Sequence, residues 1–223
     1  MAGRLETVLE AVDSANAKDP VTALHDGKPL PRALLYSQRM SAVLASYLPN
    51  ASETLRIAAR SQHVERWVIP RESYPEGRIG YLRWRKDLQH HHAMRMGEIM
   101  RGAGYSQAEI ARVGALLHKE RLKHDEEVQT LEDVTCLVFL EHEAPDFIAR
   151  HDDDKVRGIL AKTAVKMSPR GLAAAGKLQL EARLQRLLRE ALGLVRSSLW
   201  LVFVVLENTP CGAIEIFVLS RPE

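Results

Sequence analysis

Residues 88–141 constrain the fold of this chain more than any other stretch, because helical spacing of apolar residues recurs there three times. The first of these segments ends at Gly102 and Gly104. Ser106 and Glu109 then have the spacing of a capping box, which marks the start of the next helix. Successive amphipathic segments with such start and stop signals predict an all-α domain.

The same spacing continues through most of the chain and predicts a bundle of about eight helices. A loop is predicted over residues 21–32, and Asn50 is the predicted N-cap of the third helix. We expect residues 1–192 to form a single helical domain and residues 193–223 to form a tail, in which two β-favouring runs predict a hairpin. The predicted helices cover residues 3–17, 33–48, 51–67, 81–102, 107–120, 130–143, 156–167 and 172–193.

Composition excludes several classes of protein. The 223 residues are 46% apolar and carry a formal net charge of +2, so the charge demands no polyanionic partner. Two cysteines do not describe a disulfide framework, and the charged first residues do not resemble a secretory signal. The longest apolar run, residues 199–206, is shorter than the roughly 20 residues that span a bilayer. We therefore expect a soluble, cytoplasmic protein without a membrane partner.

Histidines and carboxylates mark the region where chemistry is expected. His92 and His118 lie on successive predicted helices, and Glu132 and Asp133 lie at the start of the next. Imidazoles and carboxylates that converge from neighbouring helices can hold a metal ion. Alternatively, His118 and Lys119 are cations at a helix C-terminus, where they complement the helix dipole.

The third predicted helix supplies a second group of polar residues. Arg56, Arg60, His63 and Trp67 follow at spacings that share one broad helical face. This face predicts either the wall of a polar pocket or a solvated basic surface with Trp67 in the core.

Residues 92–123, HAMRMGEIMRGAGYSQAEIARVGALLHKERLK, resemble the HD superfamily of mostly metal-dependent phosphohydrolases that act on nucleotides and related phosphate esters. The resemblance implies an HD-like bundle in which His92, His118 and Asp133 bind a divalent transition metal. Lys119 stands where that family has an aspartate, and an ammonium group would repel a divalent cation.

Residues 30–192 are similar to an uncharacterised family known as domain of unknown function 4202. The similarity implies an all-helical domain and no established activity. It is carried by the strings AARSQHVERWVIPRESYP, GRIGYLRWRKDLQHHHA, LEDVTCLVFLE and ILAKTAVKMSPRG.

Two functional hypotheses involve phosphate. In the first, a metal-dependent phosphohydrolase has an altered ligand set drawn from His63, His92, Glu98 or Glu132, and the bound metal generates hydroxide. Glu132 and Lys119 would be its catalytic residues. In the second, a non-catalytic pocket holds a nucleotide or another phosphorylated small molecule, because guanidinium and ammonium groups suit phosphate. The phosphate-binding residues would be Arg56, Arg60, Lys119 and Lys123.

A third hypothesis is RNA binding. It is motivated by residues 66–86, where aromatic and basic side chains alternate. Aromatic rings can stack on bases while arginines hold phosphates, although tryptophans at helical spacing are more often core residues. The aromatic residues in question are Trp67, Tyr74, Tyr81 and Trp84.

Overall fold

The computed structural model describes residues 3–202, with side chains as far as Gly193. This part of the chain is mostly helical, as predicted, and contains one small antiparallel sheet. Its elements are α1 (Arg4–Asn16), β1 (Thr22–His25), β2 (Lys28–Pro31), α2 (Arg32–Tyr47), α3 (Glu53–Ser61), α4 (Gly77–Gly102), α5 (Gln107–His118), α6 (Glu126–Val138), α7 (Ala144–Ile148), α8 (Asp153–Lys166), α9 (Pro169–Ala175) and α10 (Ala182–Val202).

Two hydrophobic clusters form the interior, and α6 contributes to both. Helices α1 to α5 pack with the first part of α6, where Val128, Leu131 and Val134 are fully buried. Cys136 and Leu137, on the last turn of α6, belong to the second cluster with α7, α8, α9 and α10. The helical path continues from α6 to α7 through one π-helical turn, Phe139–Glu143.

The capping box predicted at Ser106 is confirmed. The Ser106 side chain accepts a hydrogen bond from the Glu109 backbone N–H, and the Glu109 carboxylate accepts one from the Ser106 N–H. This reciprocal pairing satisfies two of the free N–H groups at the start of α5.

The loop predicted over residues 21–32 is instead a hairpin, β1 and β2. His25 pairs with Lys28, so Asp26 and Gly27 form a two-residue turn. Both turn residues have positive φ, 50° and 74°, as a type I′ turn requires. An Asp-Gly pair is a favoured sequence for that turn, so the signal was present in the sequence.

The third helix is shorter than predicted at both ends. Its N-cap is Ser52, whose hydroxyl accepts the Leu55 N–H at 3.1 Å, and not Asn50. It ends at Ser61, so His63 and Trp67 lie beyond it. The prediction of one continuous basic and aromatic face was therefore wrong.

The predicted helix over residues 172–193 is two helices, α9 and α10, separated by residues 176–181. Ser168 caps α9 by accepting the Gly171 N–H, so the segment between the predicted helices 156–167 and 172–193 begins a helix. Helix α10 crosses the predicted boundary at residue 192 and includes residues 198–202, where a strand was expected. The rest of the predicted hairpin, residues 203–223, lies outside the described residues. Between residues 3 and 202 there is no helix long and apolar enough to cross a membrane.

Candidate functional site

An open groove of about 700 Å³ lies where α4, the segment after α5, α6 and the end of α8 come together. Two leucines give it apolar patches, and most of its other lining side chains are charged. The lining residues are Leu82, Arg85, Lys86, Gln89, His118, Lys119, Glu120, Leu122, Glu132 and Lys166.

The Glu132 carboxylate forms the floor of this groove. Glu132 lies on α6 and is only 4% exposed. Its Oε2 accepts a short hydrogen bond from Lys119 Nζ, and its Oε1 lies 3.9 Å from Lys166 Nζ. A buried carboxylate is costly unless it is paired, and here two ammonium groups compensate its charge.

Lys119 reaches Glu132 from an unusual backbone conformation. It caps the C-terminus of α5 with φ 57° and ψ 39°, the left-handed conformation in which glycine is the common residue. Its N–H donates to the Leu116 carbonyl at 3.0 Å. Because a non-glycine residue pays a conformational cost there, the side-chain bond to Glu132 supplies a reason for lysine at this position.

Opposing effects act on the ionisation of Glu132. Burial raises the pKa of its carboxyl group, but the charges of Lys119, Lys166 and Arg85 and the Lys119 hydrogen bond outweigh it. The net result is a pKa below the ordinary glutamate value. Glu132 is therefore an anion at neutral pH and fixes the positions of the ammonium groups around it.

Cations outnumber carboxylates along the groove. Arg85, Lys86, Lys119 and Lys166 line it together with two carboxylates, Glu132 and the exposed Glu120. Among residues 3–193, no carboxylate lies within 4 Å of the Arg85 guanidinium, whose Nη1 donates to the Tyr81 hydroxyl at 3.3 Å. The groove thus presents positive charge that its own carboxylates do not neutralise.

Aromatic rings contact two arginines, of which Arg85 lines the groove. The Arg66 guanidinium carbon lies 4.6 Å from the centre of the Trp84 ring, and the Trp84 and Tyr81 ring centres are 5.8 Å apart. The Arg85 guanidinium carbon is 5.9 Å from the centre of the Tyr81 ring. Trp84 Nε1 donates to the Ile69 carbonyl at 2.8 Å, which holds the platform in place. Trp84 is 8% exposed, so its ring is not available to stack on an RNA base.

The predicted histidine ligands His63 and His92 lie close to each other but away from the carboxylates. Their ring centres are 6.2 Å apart, and His63 stacks on Tyr36 at 4.0 Å. His92 is buried, and its Nδ1 lies 2.8 Å from the Val64 carbonyl oxygen. Burial, aided by nearby positive charges, lowers the pKa of His92 to about 3. Its imidazole is therefore neutral, with Nδ1 as the donor to Val64.

Asp133 faces away from the groove. Its carboxylate accepts hydrogen bonds from the Tyr47 hydroxyl at 2.9 Å, the Gln129 amide at 3.0 Å and the Ser168 N–H at 2.8 Å. The Ser168 hydroxyl donates a further bond to it. Asp133 is 1% exposed and borders a second cavity of about 550 Å³. The residue predicted to ligate a metal instead anchors the start of α9.

The predicted metal ligands therefore do not come together. His118 lines the groove, with its ring 6.3 Å from that of His90, while Asp133 is committed elsewhere. Glu98, a residue of the alternative ligand set, pairs with Arg95 at 2.9 Å. Within the part of the chain that the structure describes, no three histidine, cysteine, aspartate or glutamate residues are grouped so as to hold a metal ion.

Of the four predicted phosphate-binding residues, only Lys119 lines the groove. Arg60 pairs with Asp13 at 2.7 Å and thereby joins α3 to α1. Arg56 is exposed on α3 and does not line the groove. Lys123 donates to the carbonyls of residues 165, 166 and 167 at 3.0, 3.0 and 3.3 Å, which caps the end of α8.

Three cations that line the groove were not among the predicted site residues: Arg85, Lys86 and Lys166. Arg85, like Arg66, lies in the stretch 66–86 that was considered for RNA binding. Arg85 follows Tyr81 by four residues, a helical neighbour spacing that the sequence does contain. Lys166 comes from the far end of α8, and no local pattern connects it to Glu132.

No curated protein and no solved structure shows a significant match to this chain. The model of one protein family, described as domain of unknown function (DUF4202), matches residues 6–188. That span contains every residue that lines the groove, and Arg66 as well. The chain therefore belongs to the DUF4202 family.

Proposed function

We propose that this protein binds a phosphorylated small molecule, such as a nucleotide, in the groove between α4, α6 and α8. The observation that carries the proposal is the excess of cations over carboxylates around the buried Glu132. A concave site with positive charge that is not internally neutralised attracts an anion.

The side chains suit phosphate in two ways. Arg85 offers a guanidinium fork that can donate two parallel hydrogen bonds to one phosphate. Lys119 is a point charge whose position the hydrogen bond to Glu132 fixes before the ligand arrives, so less side-chain entropy is lost on binding. Lys166 adds a second charge 3.9 Å from Glu132. The volume of about 700 Å³ falls within the range of about 300 to 1,000 Å³ typical of small-molecule sites.

Binding without hydrolysis is the activity that these contacts favour. An ionised Glu132 that is bonded to Lys119 acts as an anchor for cations, and it is not free to serve as a general acid. The HD-like arrangement, the metal-dependent reaction and a binding partner made of RNA remain predictions from sequence.

Calorimetric titration of the full chain with a panel of phosphate compounds tests the proposal. The panel contains inorganic phosphate, a sugar phosphate and a nucleoside 5′-monophosphate. We expect at least one compound to bind. We expect Arg85→Gln to weaken its binding about tenfold, because one charge-assisted hydrogen-bonded contact is lost.

Arg83→Gln is the matched control, because Arg83 is exposed on the same helix and does not line the groove. The control should bind as the wild type does. The proposal is wrong if the wild type binds no member of the panel, or if Arg85→Gln and Arg83→Gln bind equally well.

A further inference from the structure

Arg66 carries a charge that the fold does not neutralise. Its side chain is half-buried, and among the described side chains no carboxylate lies within 4 Å of its guanidinium. The strongly buried charges that line the groove have partners, as Glu132 does. Removing an ion from water without a partner is costly, so an uncompensated guanidinium that stacks on Trp84, next in the chain to the groove residue Arg85, points to an external anion.

The geometry brings Arg66 and Arg85 to the same platform. Arg66 covers the Trp84 ring at 4.6 Å, and Arg85 holds the neighbouring Tyr81 through its hydroxyl at 3.3 Å. The two rings are in contact, with centres 5.8 Å apart. Cation–π contacts orient guanidinium groups without neutralising them.

The two guanidinium charges also act on each other. Burial, followed by the positive charge of Arg85, lowers the pKa of Arg66. Burial raises the pKa of Tyr81, but the Arg85 hydrogen bond and the charges of Arg85, Lys166 and Arg66 outweigh it and lower that pKa. The two guanidinium charges repel each other. A dianion bound between them would attract both and so offset that repulsion.

We propose that Arg66 and Arg85 form a guanidinium pair that binds the terminal phosphate monoester of the groove ligand in its dianionic form. This inference rests on the proposed function and narrows its ligand class. A monoester dianion matches two guanidinium charges and has three free oxygens for their donors. A phosphodiester carries one charge and two free oxygens, so it would leave one guanidinium uncompensated. The pair therefore selects phosphate ends over the backbone of a nucleic acid.

The test compares a nucleoside 5′-monophosphate with the methyl ester of the same nucleotide, titrated into the full chain by calorimetry. At pH 7.5 we expect the monoester to bind about tenfold more tightly than the diester, as for one added charge-assisted contact. Because the second pKa of a phosphate monoester is about 6, this preference should shrink at pH 5.

Arg66→Gln should weaken monoester binding about tenfold and change diester binding much less, since only the dianion uses both guanidiniums. Arg66→Lys keeps the charge but not the fork, so an intermediate loss is expected. Arg56→Gln is the control, since Arg56 is exposed outside the groove, and it should change neither affinity. Circular dichroism verifies that each variant is folded. If Arg66→Gln does not fold, Arg66→Lys alone tests the role of the Arg66 guanidinium.

Failure of this inference can be distinguished from failure of the proposed function. Equal binding of both esters, with no effect of Arg66 substitution, would overturn the guanidinium pair while leaving a phosphate-binding groove. Binding of neither ester, together with no binding of inorganic phosphate, would overturn both.

Discussion

Lys119 and Glu132 form an ion pair that is almost completely removed from solvent, with side chains 12% and 5% exposed. Lys119 lies at the end of α5 and Glu132 lies within α6, so the pair joins two helices at the floor of the groove. Glu132 therefore has a role both in the stability of the fold and in the arrangement of the charges that face the ligand.

Removal of one member of this pair should destabilise the protein more than removal of both. Lys119→Met leaves a buried carboxylate with Lys166 as its remaining neighbour, and we expect a loss of about 3 kcal/mol in the free energy of unfolding. The double variant Lys119→Met with Glu132→Gln should recover part of that loss, since no charge is then stranded. Urea denaturation of the wild type, Lys119→Met, Glu132→Gln and the double variant measures the four free energies of unfolding. Additive losses in the double variant would contradict a direct coupling.

Protonation of His92 should make stability depend on pH. Burial lowers the pKa of His92 from its ordinary value of 6.5 to about 3. Between these two pH values His92 is protonated in the unfolded chain and neutral in the folded chain. The contribution of His92 is therefore fully present above pH 6.5 and decreases as the pH falls towards 3. The slope approaches about 1.4 kcal/mol per pH unit in that window.

His92→Gln separates this effect from the titration of carboxylates. Glutamine keeps a donor for the Val64 carbonyl and removes the titrating ring. Denaturation curves between pH 7 and pH 5 should show a smaller fall in stability for His92→Gln than for the wild type. Identical slopes would mean that His92 is not the group responsible.

Gly171→Ala should disturb the anchor at the start of α9. A Cβ atom at this position would lie 2.6 Å from both Cγ and Oδ1 of Asp133, which must then move away from its donors. We expect a loss of about 2 kcal/mol or more in stability, as for overpacking with broken buried hydrogen bonds. Gly158→Ala in α8 is the matched control, because no atom lies within 4 Å of its added methyl group. That change should stabilise α8 or leave it unaltered.

Arg60→Gln should lower stability without changing phosphate affinity. Arg60 pairs with Asp13 between α3 and α1, with side chains 16% and 29% exposed. A loss of about 1 kcal/mol is expected for a partly buried bidentate pair. Thermal unfolding measures the stability, and calorimetric titration with phosphate compounds measures the phosphate affinity. A weaker phosphate affinity with unchanged stability would place Arg60 back in the binding site.

Local signals in the sequence predict the helices better than they predict the partners of side chains. Ser106 and Glu109 are three residues apart, so their capping box is visible in the sequence and is confirmed. The Asp26-Gly27 turn is equally local, and the hairpin was missed only because its strands are short and largely exposed. The third helix was predicted to continue to residue 67, but it ends at Ser61. The chain changes direction there, and Glu65 has a left-handed conformation.

The site is harder to predict because each charged group has several candidate partners. Both Glu132 and Asp133 are candidate partners of Lys119 in the sequence, and only tertiary packing decides in favour of Glu132. Asp133 is the next residue on α6, yet a rotation of about 100° about the helix axis turns it to Tyr47 and Ser168. Arg66 and Arg85 meet through a shared aromatic platform, and no periodic pattern in the sequence encodes that meeting.

Helix α6 contributes buried residues to both hydrophobic clusters, and this sharing makes the two halves of the fold mutually dependent. Unwinding its first turns removes Val128 and Leu131 from one cluster, and unwinding its end removes Leu137 from the other. Neither half retains a complete interior without the whole helix. Glu132 lies on that helix between the two groups of contacts. A ligand bound beside Glu132 would therefore stabilise α6 against local unfolding of either half.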